Sequence, residues 1–311
     1  MGDSAAGMKD IYWGEFPEAE MDTLLSLLQE EGYEAARKYI DKTLNRTDFI
    51  FGKGRSDFMY YLPLHKRARV LDCGCGLGTH SFNIAPYVKE VHGFDQSKKR
   101  IEFCNYRKKF ERVRNVDFAH ADFERLPYKD DYFDTILLNG VVEWLGERNR
   151  NEDPRKDQLE VLRLLHKKLR PGGVLYIGIE NRYALAYLAG RDHNGLRWTS
   201  YMPRPLADAV TKLFAGRPYR TYTYSLEGYR SLMKDAGFGG AEFFVAHPGY
   251  NYPQFIVPAH DIGSLRYFFS NMTRHKGPKG ATARLLSRFE FGLRCMSRLS
   301  YSYLIFSRKK P

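Results

Sequence analysis

A doubly wound α/β sheet of seven mostly parallel strands, elaborated by helical cap insertions, is the fold this sequence predicts. Three observations predict it. Short apolar runs alternate with helical patterns from Val70 to Ile179, a glycine-rich turn follows the first run directly, and each later run sits where the next parallel strand of such a sheet is needed. Aromatic residues make up 15% of the 311-residue chain, with 22 Tyr and 21 Phe, which is far too many for a disordered polymer and enough to line a large core.

The first strand, around Val70 and Leu71, ends in Asp72-Cys73-Gly74-Cys75-Gly76-Leu77-Gly78-Thr79. Glycines at such a turn let backbone N–H groups approach an anionic or nucleotide-like ligand. The dinucleotide fingerprint G-x-G-x-x-G requires a glycine at position 79, where Thr79 stands. An acid immediately before the glycines repels a pyrophosphate and attracts an ammonium. The ligand that fits carries an amino group.

The second strand, Val91 to Asp95, ends in an acid about 20 residues beyond the turn, the spacing at which a carboxylate meets ribose hydroxyls. Gln96 adjoins it, and Ser97 caps a helix expected to run to Phe110. A third strand leads from Phe118 into Asp122 and Phe123, and a fourth from Tyr132 to Asn139. A helix from Asp157 to Leu169 repeats leucine near helical period, and Pro171-Gly172-Gly173 turns into the fifth strand, which ends at Glu180. Ser225 to Ala236 forms the next helix, stopped by Gly237. Tyr303 to Ser307 is the last strand.

These segments, in this order, resemble the class I S-adenosylmethionine-dependent methyltransferases over roughly residues 68 to 180. The resemblance implies a Rossmann-like core with S-adenosylmethionine as cofactor. It implies Asp72 for the methionine ammonium, the backbone of Gly74, Cys75, Gly76 and Gly78 for the body of the ligand, Asp95 for the ribose hydroxyls, Asp122 with Phe123 for the adenine, and Gln96 among the residues that hold the cofactor. Asn139 marks the place where cofactor and acceptor meet.

The organisation expected is an N-terminal helical cap segment over 1–50, a cofactor-binding core over 51–180, and a cap insertion over 181–224. The core continues over 225–247, a second cap insertion follows over 248–300, and the last strand and basic tail occupy 301–311. Insertions beyond the carboxyl ends of the strands carry substrate recognition in open α/β sheets.

The Asp/Asn-Pro-Pro-aromatic signature of amino-directed nucleic-acid enzymes is missing after Asn139, and no convincing carboxylate cluster suggests a catalytic metal. Metal-free O-methylation of a small molecule or glycan hydroxyl is the leading expectation. Such a reaction needs a general base, and His193, Glu180 and His247 are the candidates. Ile179 to Tyr183 and Arg191 to Gly195 also loosely resemble bacterial methyltransferases found with polysaccharide assembly enzymes, which implies a sugar-linked acceptor. The alternatives are an RNA methyltransferase and a non-catalytic S-adenosylmethionine-binding protein.

The formal net charge is +12, and from Arg266 to Pro311 eleven Lys or Arg face one acid, Glu290. That bias suits RNA, an anionic membrane surface or a phosphorylated substrate. The spacing of Leu285, Phe289, Leu293 and Met296 predicts an amphipathic helix over Ala281 to Ser300, its apolar face closing the substrate cleft, with peripheral membrane contact as the sharper alternative. No leader pattern opens the chain and no apolar run approaches the roughly 18 residues a membrane span requires, so a cytoplasmic protein without a transmembrane segment is expected. Cys73, Cys75, Cys104 and Cys295 fit neither a zinc site nor a disulfide framework and are expected to be reduced packing residues.

Overall fold

The computed structural model describes residues 16–45, 49–147, 153–192, 195–272 and 285–310. The chain divides into two compact units, one of Met1–Val141, Arg163–Tyr176 and Lys309–Pro311, the other of Val142–Leu162 and Ile177–Arg308.

The first unit opens with two helices, α1 (Met21–Glu30) and α2 (Tyr33–Leu44). Met21, Leu24, Leu25 and Leu28 recur at helical spacing on α1 and are buried. Gly32, at φ +89°, makes the turn between the helices in a conformation that a side chain would strain. Both helices pack in one cluster with Leu77, beside the glycine turn, and Phe103. The strands β1 (Arg69–Cys73), β2 (Glu90–Asp95), β3 (Val116–His120) and β4 (Phe133–Asn139) alternate with α3 (Thr79–Ile84) and α4 (Lys98–Phe110). Val70 lies opposite Val91 of β2 on one side and Thr135 of β4 on the other, and Val91 lies opposite Val116, all in parallel register. Ser97 caps α4 as expected, its hydroxyl accepting the N–H of Arg100 at 3.3 Å.

Helix α5 (Pro154–Lys168) leads into β5 (Leu169–Glu180), whose residues from Ile177 onward belong to the second unit. That unit contains α6 (Ala186–Ala189), α7 (Arg204–Ala215), α8 (Leu226–Asp235), β6 (Ala241–His247), β7 (Phe255–Pro258), α9 (Ile262–Met272), α10 (Glu290–Arg298) and β8 (Ser302–Arg308). The strand order is β3-β2-β1-β4-β5-β8-β6-β7, with β6 antiparallel to β8 and to β7. Among the described residues the sheet therefore has eight strands where the sequence suggests seven. The additional strand is β7, four residues long and too short to stand out by alternation.

The helix expected over Ala281 to Ser300 is broken among the described residues: Leu285 and Leu286 are helical, a turn follows at 287–289, and α10 runs over Glu290–Arg298. Ala281–Arg284 lie outside the described residues. Phe289 is extended, at φ −110° and ψ 137°, and a turn precedes it in which Arg288 N–H bonds Leu285 O and Phe289 N–H bonds Leu286 O. Leu293 is buried as the pattern requires, whereas Leu285 and Phe289 are exposed. No helix among the described residues is long and apolar enough to cross a membrane.

Candidate cofactor site

Strand β1 delivers a turn in which Gly74, Gly76 and Gly78 all have positive φ, of 67°, 54° and 80°. Two of them are also too crowded for a side chain. A Cβ on Gly74 would come 2.9 Å from Val141 Cγ2, and one on Gly78 would come 2.8 Å from Phe82 and 3.3 Å from the Cys104 sulfur. Cys75 anchors the turn by donating its N–H to Phe94 O at 2.9 Å. Asp72 is buried at the end of β1, where it accepts the Ser81 hydroxyl at 2.6 Å.

Cys73, Cys75 and Cys104 are free and buried, and Cys295 is free and half-buried. Burial pushes the Cys73 and Cys75 thiols well above the ordinary range, with Asp72 adding to it at Cys73 and Cys104 at Cys75. Thiols held neutral in this way are packing groups rather than nucleophiles.

Asp95 closes the other side of the turn. One carboxylate oxygen accepts the N–H of Gly76 at 3.0 Å and the other the N–H of Ser97 at 2.9 Å. A carboxylate offers about four lone-pair sites, so two remain to receive a diol. Gln96 is exposed, and its backbone carbonyl meets His120 Nε2 at 3.1 Å. Asp122 turns inward on its own loop, accepting Glu124 N–H at 2.9 Å. Phe123 is buried edge-on to Phe94, with ring centroids 5.1 Å apart. Asn139, at the end of β4, accepts the Tyr176 hydroxyl at 2.9 Å.

Arg55, Ser56, Phe58 and His80 were not singled out by the sequence pattern, yet they form a buried cluster in this unit. Ser56 Oγ lies 2.9 Å from His80 Nδ1 and accepts Asn83 Nδ2 at 3.0 Å. Phe58 stacks on Tyr176 at 3.8 Å with the rings 6° from parallel, and meets His80 edge-on at 5.0 Å. The Arg55 guanidinium is 1% exposed and lies over the Phe49 ring at 4.3 Å. Burial, reinforced by Arg55, holds the His80 pKa well below the ordinary histidine value, so the ring is neutral near pH 7. The usable signal was His80 itself, two residues beyond the last glycine of the turn.

Of the three candidate bases, Glu180 and His247 belong to the second unit and His193 lies outside the described residues. Glu180 is buried at the end of β5, and Tyr229 donates its hydroxyl to the Glu180 backbone carbonyl at 2.9 Å. A second buried carboxylate, Glu143, shares this environment: both raise the pKa of Tyr229 and Tyr250, phenols that burial has already pushed far up. The His247 ring packs instead with Phe268 at 5.5 Å and Phe255 at 6.4 Å, a structural setting. The same unit holds a largely apolar groove of about 440 Å³ whose lining includes Tyr183, Tyr201, Leu226 and Leu299, with Glu227 and Arg298 beside it.

The glycine turn, the acid at the tip of β2 and the strand order 3-2-1-4-5 define a nucleoside-binding α/β domain of the methyltransferase type. Residues 64–195 match the family model described as a methyltransferase domain, and over that stretch the chain is similar to class I S-adenosylmethionine-dependent methyltransferases, enzymes that use S-adenosylmethionine as cofactor. It is 32% identical to the uncharacterized RNA methyltransferase MMOB5020 of Mycoplasma mobile over 35% of this chain and 26% of that protein. It is also 32% identical to the uncharacterized methyltransferase YcgJ of Bacillus subtilis over 39% of this chain and 46% of that one. The chain thus spans less than half the length of either relative. Among solved structures, phosphoethanolamine N-methyltransferase 2 of Haemonchus contortus shares the fold at a TM-score of 0.52 and 15% identity, over 92% of this chain and 59% of that one.

Proposed function

We propose that the protein transfers a methyl group from S-adenosylmethionine to a hydroxyl of a small molecule or sugar, without a metal ion. The observation that carries the cofactor half of this reading is Asp95, whose carboxylate is aimed by Gly76 and Ser97 and keeps two acceptor sites for the ribose diol. Asp72 and the turn from Gly74 to Gly78 take the methionine end. To these we add Arg55, a buried guanidinium suited to the methionine carboxylate. In this reading Gln96 lies beside Asp95, Asp122 serves the adenine end and Asn139 the methyl end, and Phe123 packs edge-on to Phe94.

The bound cofactor supplies an electrophilic methyl on a sulfonium, whose C–S electrons return to sulfur as the new C–O bond forms. The protein must then remove the hydroxyl proton. We assign that step to Glu180 or, from the cap insertion, His193. The packing of His247 among phenylalanines favours a structural role for it. In support of an acceptor with a ring, Tyr183 and Tyr201 line the groove of the second unit with centroids 5.7 Å apart, and such faces stack on sugars.

The test is turnover with candidate acceptor pools, read by mass spectrometry as a methyl gain, beside calorimetric binding of S-adenosylmethionine. Glu180→Gln and His193→Ala are expected to keep cofactor affinity, and the one that serves as base to lose roughly 10²-fold in rate. An RNA acceptor is the second reading, favoured by the basic residues from Arg266 onward and by the RNA methyltransferase relative. Methyl gain in RNA but in no small-molecule pool would select it.

A further inference from the structure

The second unit exposes more large apolar side chains than a solvated surface needs, and one group of them is built into a rigid edge. At the helical Leu285 and Leu286, in the turn that follows and on α10 itself, Leu285 is 56% exposed, Phe289 62% and Phe291 79%, with Leu286 beside them. Arg288, Arg294 and Arg298 are exposed among them. Phe291, Arg294 and Arg298 share one face of α10, since offsets of three and seven residues return to the same side of a helix, while Gly292, Leu293 and Ser297 face inward.

This edge is held in place. A Cβ on Gly292 would fall 2.2 Å from Leu286 O, so the absence of a side chain there lets the turn lie directly against the helix. Ser297 Oγ donates to Ala259 O at 3.1 Å, and Ser270 and Ser287 meet at 3.3 Å, tying helix and turn to the segment around α9. On α9, which packs against α10, Arg266 and Tyr267 are exposed as well. The phenylalanines and leucines are therefore displayed by the fold.

We propose that the segment 285–289 and the outer face of α10 dock on an anionic lipid bilayer surface. Apolar tips interleaved with arginines suit the boundary between headgroups and acyl chains, where the side chains enter the apolar zone and the guanidiniums stay among phosphates. Charge complementarity points the same way. Glu290 is the single acid from Arg266 to Pro311, and Arg294 neutralises it at 2.7 Å, while Arg298 stands 3.5 Å from Glu227, leaving Arg288 and Arg266 to add positive charge. A second copy docked through this face would set Arg266 and Arg288 against their own counterparts, a like-charge juxtaposition that an anionic surface relieves. The proposal is independent of the acceptor.

Flotation of the full-length protein with vesicles tests it. Binding is expected with phosphatidylcholine vesicles containing phosphatidylglycerol, weaker at high salt, and absent with phosphatidylcholine alone. Leu285→Ser, Leu286→Ser, Phe289→Ser and Phe291→Ser combined should abolish it, and Arg288→Gln or Arg266→Gln should each lower partitioning by about fivefold. Calorimetric S-adenosylmethionine binding serves as the check that the multiple variant is folded. Should it fail that check, Phe291→Trp alone reports insertion by a blue shift of tryptophan emission against the same vesicles.

Helix α7 also exposes Leu213 and Phe214, so Leu213→Ser with Phe214→Ser is the comparator, expected to float like the parent. The proposal is overturned if the parent ignores anionic vesicles, if the fourfold variant floats undiminished, or if the α7 variant alone abolishes flotation. It is equally overturned if light scattering shows self-association through these residues in a protein that does not float.

Discussion

Gly76 donates its backbone N–H to one carboxylate oxygen of Asp95 at 3.0 Å, so the turn after β1 and the tip of β2 are joined before any ligand arrives. Ser97 N–H holds the other oxygen at 2.9 Å, leaving the carboxylate no rotamer to search. Cofactor binding should therefore depend on this side chain twice, for its acceptors and for the shape of the turn. Asp95→Asn is expected to weaken S-adenosylmethionine binding by about 1–3 kcal/mol, because an amide puts a donor against one of the N–H groups or against a ribose hydroxyl. Calorimetry that finds unchanged affinity would remove Asp95 from the site.

Much of this geometry was legible in the sequence because its causes are local. The turn needs positive φ at particular positions, Ser97 caps within three residues, and β2 ends on its acid. The cluster of Arg55, Phe58 and His80 was not legible, since Phe58 stacks on Tyr176 across more than a hundred residues of chain and nothing in either neighbourhood signals the other. Periodicity misled in part at the end of the chain: Leu285, Phe289 and Leu293 fit one helix, but the extended Phe289 and the close approach of Leu286 to Gly292 break it, with a turn at 287–289 between helical Leu286 and α10. The family pattern implies Phe123 for the adenine, and its burial edge-on to Phe94 adds a packing contact that no pattern encodes.

Gly78→Ala tests the turn from the backbone side. At φ +80° an alanine costs about 1–2 kcal/mol for the left-handed conformation alone, and its Cβ would press on the Phe82 ring and the Cys104 sulfur. Urea unfolding should show a loss at least that large, accompanied by weaker cofactor binding. A variant as stable as the parent would mean that the turn relaxes freely.

His80 gives the protein a predictable response to acid. Its folded pKa lies well below the ordinary value, because burial and then Arg55 oppose a second positive charge. Below about pH 6.5 the unfolded chain takes up a proton that the folded chain refuses, so stability falls with falling pH until the folded pKa is reached. The slope from this group approaches about 1.4 kcal/mol per pH unit in that window. Chemical denaturation from pH 7.5 to 5.5 should show the decline, and His80→Gln, which can still meet Ser56, should show a shallower one.

The last prediction concerns Gln158, which is fully buried in the second unit and makes three hydrogen bonds with one amide. Its Nε2 donates to the carbonyls of Val142 at 2.9 Å and Tyr222 at 2.8 Å, and its Oε1 accepts the Tyr224 hydroxyl at 2.6 Å. Gln158→Leu keeps the bulk but strands two carbonyls and a phenol, each orphaned group costing about 1–3 kcal/mol, which places it among the more damaging single changes in this unit. Gln158→Glu separates the donor from the acceptor half of the amide. At neutral pH its carboxylate still accepts from Tyr224 but faces two carbonyl oxygens, and burial together with those oxygens raises its folded pKa above that of the unfolded chain. The penalty therefore shrinks as pH falls through that raised pKa, because the protonated acid can again donate to one carbonyl. Urea midpoints of the Glu variant measured relative to the Leu variant should rise on acidification. A difference independent of pH would show that the site admits water and that the three bonds are not buried in solution.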